Sequence, residues 1–123
     1  MRILLGIGGS DDSLQALERT AERAAEANDE VTVAIIDTVG ARSASEIEAE
    51  VDRTLDEWGI TATVRHIESD TDPGSELVDI AESEGFDRIV IGGGTTSPMG
   101  KIQLGSTAEF VLLNSHISVT LVR

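Results

Sequence analysis

The most chemically specific spacing in this chain lies between residues 92 and 107. Gly92, Gly93 and Gly94 end an apolar run, and they let backbone approach a ligand with no Cβ in the way while successive N–H groups curve into an anion-binding concavity. Thirteen positions after Gly92 come Gly105, Ser106 and Thr107, where a helical pattern starts. The first amides of a helix have no partner within it, and the two hydroxyls can donate toward the same anion. Two donor clusters on one side of a sheet, joined by a loop, make a phosphate site. The competing reading leaves the loop empty, with Ser106 capping its helix in a box with Glu109. Lys101, the single lysine, falls within the loop, either as an exposed residue without a specific role or as a phosphate contact.

Charge distribution favours an anion in that part of the chain. The whole sequence has 23 acidic and nine basic residues, net −14. Residues 1 to 88 hold 22 acids against seven arginines, net −15, whereas residues 89 to 123 hold Glu109 against Lys101 and Arg123, net +1. A field this negative repels nucleic acid, whose binding requires clustered Lys and Arg on phosphates. Acidic, lysine-poor composition suits a protein in concentrated salt, where screening suppresses self-repulsion, so a halophilic setting is expected. Cysteine is absent and there are two histidines, which removes disulfides and Cys-ligated metal centres. No apolar run approaches the ~20 residues of a membrane span, and no signal-peptide pattern opens the chain, so the expected location is the cytoplasm.

The elements that must position the loop are legible from periodicity. A length of 123 residues with 40% apolar composition implies one domain, residues 1–123, with roughly two thirds of its surface buried on folding. "RILLGIG" is an apolar run typical of a strand buried on both faces. Ser10 then caps a helix carrying Leu14, Leu17, Ala21, Ala24 and Ala25 as far as Asn28. "VTVAIID" is strand two. Ser45 and Glu48 form a capping box for a helix with Ile47, Val51, Leu55 and Trp58 on its core face, stopped by Gly59. "TATVRHI" is strand three. Asp72 as cap, Pro73 at the first helical position and Gly85 at the end frame helix three. "RIVIG", residues 88 to 92, is strand four, followed by a helix carrying Phe110, Val111 and Leu113, and residues 117 to 122 form strand five. Five strands alternating with four helices imply an α/β three-layer sandwich with a parallel sheet, for which the order 3-2-1-4-5 is the expectation, although alternation by itself does not fix it. Ligands of such sheets bind outside the carboxyl ends of the strands, where the order reverses.

A second glycine-rich loop, "GIGGSDD", leaves strand one. Gly6 and Gly8 have the spacing of a dinucleotide fingerprint, but its third glycine falls on Asp11, and Asp11 and Asp12 put the wrong charge where a pyrophosphate would lie. The loop also resembles that of the ATP pyrophosphatases, without the two serines that should face phosphate. A tight strand-to-helix turn explains it. His66 and His116 have no carboxylate or serine partner placed by sequence and receive no role.

With these residues in view, the chain resembles the universal stress proteins, whose pattern G-x2-G-x9-G-[ST] precedes the last helix. Gly92, Gly105 and Ser106 match it, and the likeness extends through "DPGSELVDIAESEGFDRIVIGGG" and "ILLGIGGSDDSLQAL" to essentially the whole chain. The resemblance implies an adenine-nucleotide alpha-hydrolase-like fold and ATP as ligand. It implies the Ile35 backbone at the adenine edge, Gly8 and Ile91 flanking the adenosine, and Gly92, Gly94, Gly105, Ser106 and Thr107 at ribose and phosphates. Mg²⁺ or Mn²⁺ would ride on the phosphates, with no metal site of the protein's own. Two positions depart from the pattern. Its second glycine is Thr95, and the strand-one aspartate of ATP-binding members is Gly8.

Strand five alternates Ile117, Val119 and Leu121 with Ser118, Thr120 and Val122 and should lie at an edge, a template for pairing. In the family the resemblance names, terminal strands of two subunits pair, so a homodimer across residues 117–122 is expected. Two functions follow. One is an ATP- or adenine-nucleotide-binding sensor in stress response, not a catalyst, because the loop offers donors without an acceptor to position water. The alternative is a dimeric interaction protein of the same family that binds no nucleotide, which Gly8 and Thr95 favour.

Overall fold

The computed structural model describes residues 1–7, 11–36, 44–67, 72–92, 95–96, 102–103 and 106–122. The elements in order are β1 (Arg2–Ile7), α1 (Asp11–Ala27), β2 (Glu30–Ile36), α2 (Ala44–Trp58), β3 (Ala62–Ile67), α3 (Pro73–Ser83), β4 (Arg88–Gly92), β5 (Thr95–Thr96), β6 (Ile102–Gln103), α4 (Ser106–Asn114) and β7 (Ser118–Val122). Five strands form one parallel sheet in the order β3-β2-β1-β4-β7, which is the predicted 3-2-1-4-5. The additional strands are a two-stranded antiparallel ribbon, Thr95 opposite Gln103 and Thr96 opposite Ile102. Two-residue strands leave no periodicity, so the sequence gives no sign of them.

Burial along the strands follows their place in the sheet. β1 and β2 are covered almost throughout, whereas β3 and β7, at the two edges, are mostly half-buried. A strand with helices on both sides must be apolar at consecutive positions, and an edge strand need not be. Two separate cores result. Ile3, Leu5 and Ile7 of β1 pack with Leu17 of α1 and Ile47, Val51 and Leu55 of α2 on one face. Leu4 packs on the other with Leu77 and Ala81 of α3, Ile89 and Ile91 of β4, and Val111 of α4. Ile117, just before β7, and Val119 and Leu121 within it join this second core and Val122 the first, the alternation read from the sequence.

Local signals set most boundaries. Asn28 ends α1 in the left-handed region at φ 57° and donates its N–H to the Ala24 carbonyl at 2.8 Å. Gly59 and Gly85, at φ 67° and 74°, follow α2 and α3. Asp72 caps α3, its Oδ1 accepting from the Gly74 N–H at 3.2 Å.

Other expectations fail for identifiable reasons. α2 begins at Ala44, so Ser45 lies inside the first turn, and Glu48 turns to His66 (3.2 Å) rather than to a capping box. α4 begins with Ser106 itself, one residue before a cap at that position would place it, and the Ser106 side chain, on which the capping box with Glu109 rests, lies outside the described residues. Trp58 is 36% exposed and donates its indole N–H to Glu18 at 3.3 Å, because the last turn of α2 has passed the sheet. Leu113 is 75% exposed and Ala25 is also exposed, while the uncredited Ala16, Thr20 and Ala108 are buried. Ser10 lies outside the described residues.

Asp29, after α1, has a side chain only 3% exposed, bound by the Met1 amino group at 3.0 Å and Arg23 Nε at 3.1 Å. Burial alone would raise its pKa, but the hydrogen bonds and charges of these two cations hold it below the ordinary 3.8. A carboxyl with a depressed folded value contributes stability above the unfolded value and loses it as pH falls through the folded one. Asp29→Asn should therefore cost about 1–2 kcal/mol at neutral pH. In urea melts at graded pH, the gap to the parent should close below the ordinary carboxylate range.

Candidate nucleotide site at the carboxyl ends of the strands

The winding of the sheet creates the candidate site. From β1 the chain moves outward to β2 and β3, then crosses back to β4 on the other flank of β1 and out to β7. α1 and α2 cover one face, and the reversal puts α3 and α4 on the other. The chain therefore leads from the paired strands β1 and β4 to helices on opposite faces, α1 and α4, the switch point at whose crevice ligands of open α/β sheets bind.

Register places the predicted residues across this edge. Ile35 pairs with Ile7 on one side and His66 on the other, Gly6 pairs with Ile91, and Gly92 pairs with Val122. Ile35, Ile7, Gly92 and Val122 therefore form one row at the sheet's carboxyl end. The side chains of Ile35 and Ile91 are buried in opposite cores, so at this edge both residues offer backbone. Gly92 is half-buried and is the last residue of β4. Gly8, Gly94, Gly105 and Lys101 lie outside the described residues.

Packing of α3 against α4 and the sheet fixes where α4 begins. At Gly6, an added Cβ would stand 2.8 Å from Leu77 Cδ1, so the leucine fills the space the glycine leaves. At Gly74, an added Cβ would meet Phe110 Cβ at 2.9 Å, a contact no rotamer change relieves. Two glycines thus let α3 lie close on β1 and α4 close on α3. Ser106 and Thr107 form the first turn of α4, with Thr107 half-buried and Ala108 and Val111 held in the core. The open amides and positive end of a helix dipole lie at this start. β5 and β6 close the intervening chain on itself, so Thr95 stands opposite Gln103 three positions beyond Gly92.

Sequence reasoning assigned both histidines no partner, and each has one. His66, beside Ile35 at the sheet edge, pairs with Glu48 at 3.2 Å, and His116 Nδ1 pairs with Glu82. Both pairs join residues far apart in the chain, on elements whose juxtaposition only folding supplies. Among the described residues no group of His, Asp and Glu could hold a metal ion, and no helix is long and apolar enough to cross a membrane.

Comparison with known proteins agrees with the architecture. The model of the universal stress protein family matches residues 1–123. A curated universal stress protein of Methanocaldococcus jannaschii is 30% identical over 140 residues, covering 99% of this chain and 81% of that one. The solved universal stress protein of Archaeoglobus fulgidus has a TM-score of 0.82 at 25% identity, covering 100% of this chain and 98% of the other. Another universal stress protein, solved in complex with cAMP, has a TM-score of 0.75 at 25% identity over 100% and 96% of the two chains. A match of the family model to every residue, joined to this strand order, identifies the chain as a member of the universal stress protein family.

Proposed function

We propose that the protein binds an adenine nucleotide, ATP foremost, at the carboxyl ends of β1, β2 and β4, and acts as a homodimeric sensor in stress response. The observation that carries this reading is the row Ile35, Ile7 and Gly92 at the reversal of strand order, with α4 opening at Ser106 fourteen positions after Gly92. In this reading, Gly92, Gly94, Gly105, Ser106 and Thr107 hold ribose and phosphates, Ile35 offers backbone to the adenine edge, and Gly8 and Ile91 flank the adenosine. Any divalent cation is held through the phosphates. The related protein solved with cAMP supports the adenine preference. Binding, not turnover, is the proposed activity.

Thr95 favours a second reading. Where the family pattern has glycine, this chain has a β-branched residue paired as strand with Gln103. If that geometry excludes phosphates, the protein is a dimeric interaction module without nucleotide.

Melting in molar KCl with and without Mg-ATP separates the two, with AMP, cAMP and GTP as controls. A ligand at about 100 times its dissociation constant adds about 2.7 kcal/mol, a rise of a few degrees for a domain this size. A rise with adenine nucleotides exceeding that with GTP is expected, and none at millimolar concentrations selects the second reading. Under both, β7 is an edge strand paired on one side by β4, and its other edge is proposed to pair with β7 of a second copy. Light scattering should give the mass of a dimer, and a monomer's mass would overturn that part.

A further inference from the structure

A second cavity lies on the face of the sheet opposite α4. It is about 300 Å³ in volume, between α1 and the β4–β7 edge, at the lower end of the range for small-molecule sites. Ile3, Val90 and Val122 contribute apolar walls. Around them stand Arg19, Arg23 and Arg88, with the hydroxyl residues Thr20 and Thr120.

Composition makes this cluster unexpected. Acidic residues outnumber basic ones 23 to nine over the chain, yet among the described residues three arginines and no carboxylate line this one cavity. Arg23 is occupied with Asp29 at 3.1 Å. Arg19, one helical turn earlier on α1, has neither ion pair nor hydrogen bond among the described residues. Arg88 donates from Nη1 to Thr120 Oγ1 at 3.2 Å, while its Nε is buried with no partner among them. A charged donor withdrawn from water and left unpaired is costly, and such groups are normally satisfied. Arg19 is exposed, so the unmet demand lies at Arg88 Nε, which has no carboxylate among the described residues in a protein rich in them.

We infer that this cavity binds a small oxyanion, carboxylate or phosphate, bearing a short apolar body. The planar fork of a guanidinium matches the paired oxygens of either group, and the adjacent hydroxyls can donate to the same oxygens. The apolar walls take the remainder of the ligand. The site uses none of the residues proposed to hold the nucleotide, touching the row of strand ends only through Val122, and does not depend on that reading.

Hexanoate, inorganic phosphate and 1-hexanol serve as probes in molar KCl, read by the ¹H–¹⁵N signals of the arginine Nε–H groups and by calorimetry. Saturable binding of hexanoate, phosphate or both is expected, with the Arg88 Nε signal shifting, and the tighter of the two names the head group. Arg19→Gln should weaken binding at least fivefold. Arg53→Gln, an equal charge change on exposed α2, should leave it within twofold. The inference is overturned if neither anion saturates, if hexanol binds as well as hexanoate, or if the two variants behave alike. Both substitutions are at exposed helix positions, so the fold is retained while the readout is made.

Discussion

Leu77→Ala is expected to lower stability by about 2–5 kcal/mol, a large part of the about 5–15 kcal/mol typical of a whole domain. Leu77 is fully buried in the core under α3, and its two terminal carbons approach the place a Cβ on Gly6 would occupy, at 2.8 and 3.2 Å. Truncation loses the burial of those carbons and also leaves a void between α3 and the junction of β1 with β4. Neighbours cannot collapse into it easily, because Gly6 has no side chain to offer and Ile91 is locked in its strand. Urea denaturation in molar KCl measures the loss from the shift in midpoint at constant slope. A loss below about 1 kcal/mol would mean that the helix does not rest on Gly6 as described.

Gly92→Asp should weaken adenine-nucleotide binding at least about 100-fold, which is about 2.7 kcal/mol. The residue ends β4 at the row of strand ends, and in the proposed complex its backbone approaches the phosphates. A carboxylate there repels phosphate: at the effective dielectric near a protein surface, two like charges about 4 Å apart cost about 4 kcal/mol. Gly92→Ala adds bulk without charge and separates the two contributions, with a smaller loss expected. Calorimetric titration of each variant with Mg-ATP, after melting has verified the fold, provides the check. Parent-like affinity in Gly92→Asp would remove Gly92 from the phosphate site.

The two experiments address layers of the molecule that were not equally legible in the sequence. The number of helices, the strands of the main sheet and most stops follow from signals confined to a few neighbouring residues. Asn28, Gly59 and Gly85 have the positive φ values their positions predict, and Asp72 with Pro73 starts α3 as read. Such signals survive because a backbone conformation or a cap depends on what lies within one turn of it.

Periodicity failed where an element outlasts its support. Trp58 continues the spacing of Val51 and Leu55 yet is exposed at the end of α2, whereas Leu113, two positions beyond the buried Val111, is turned about 200° away from it and faces out. A hydrophobic stripe records a direction from the helix axis and does not say where the partner surface stops. The histidines illustrate the same limit: Glu48 with His66 and Glu82 with His116 become neighbours when α2 meets β3 and α3 meets the turn before β7.

By itself, the sequence determined the α/β class, the number of strands in the main sheet, the glycine spacing of the 92–107 loop and the family, since these reside in local pattern and in motif intervals. Only the tertiary structure decided that Ile35, Ile7 and Gly92 share one row, that Leu77 and Phe110 seat the helices on Gly6 and Gly74, and that Arg19 of α1 and Arg88 of β4 line one cavity. Each of these joins residues from separate elements through strand register and helix packing. Both are set by the burial of whole apolar faces, which no short stretch of sequence contains.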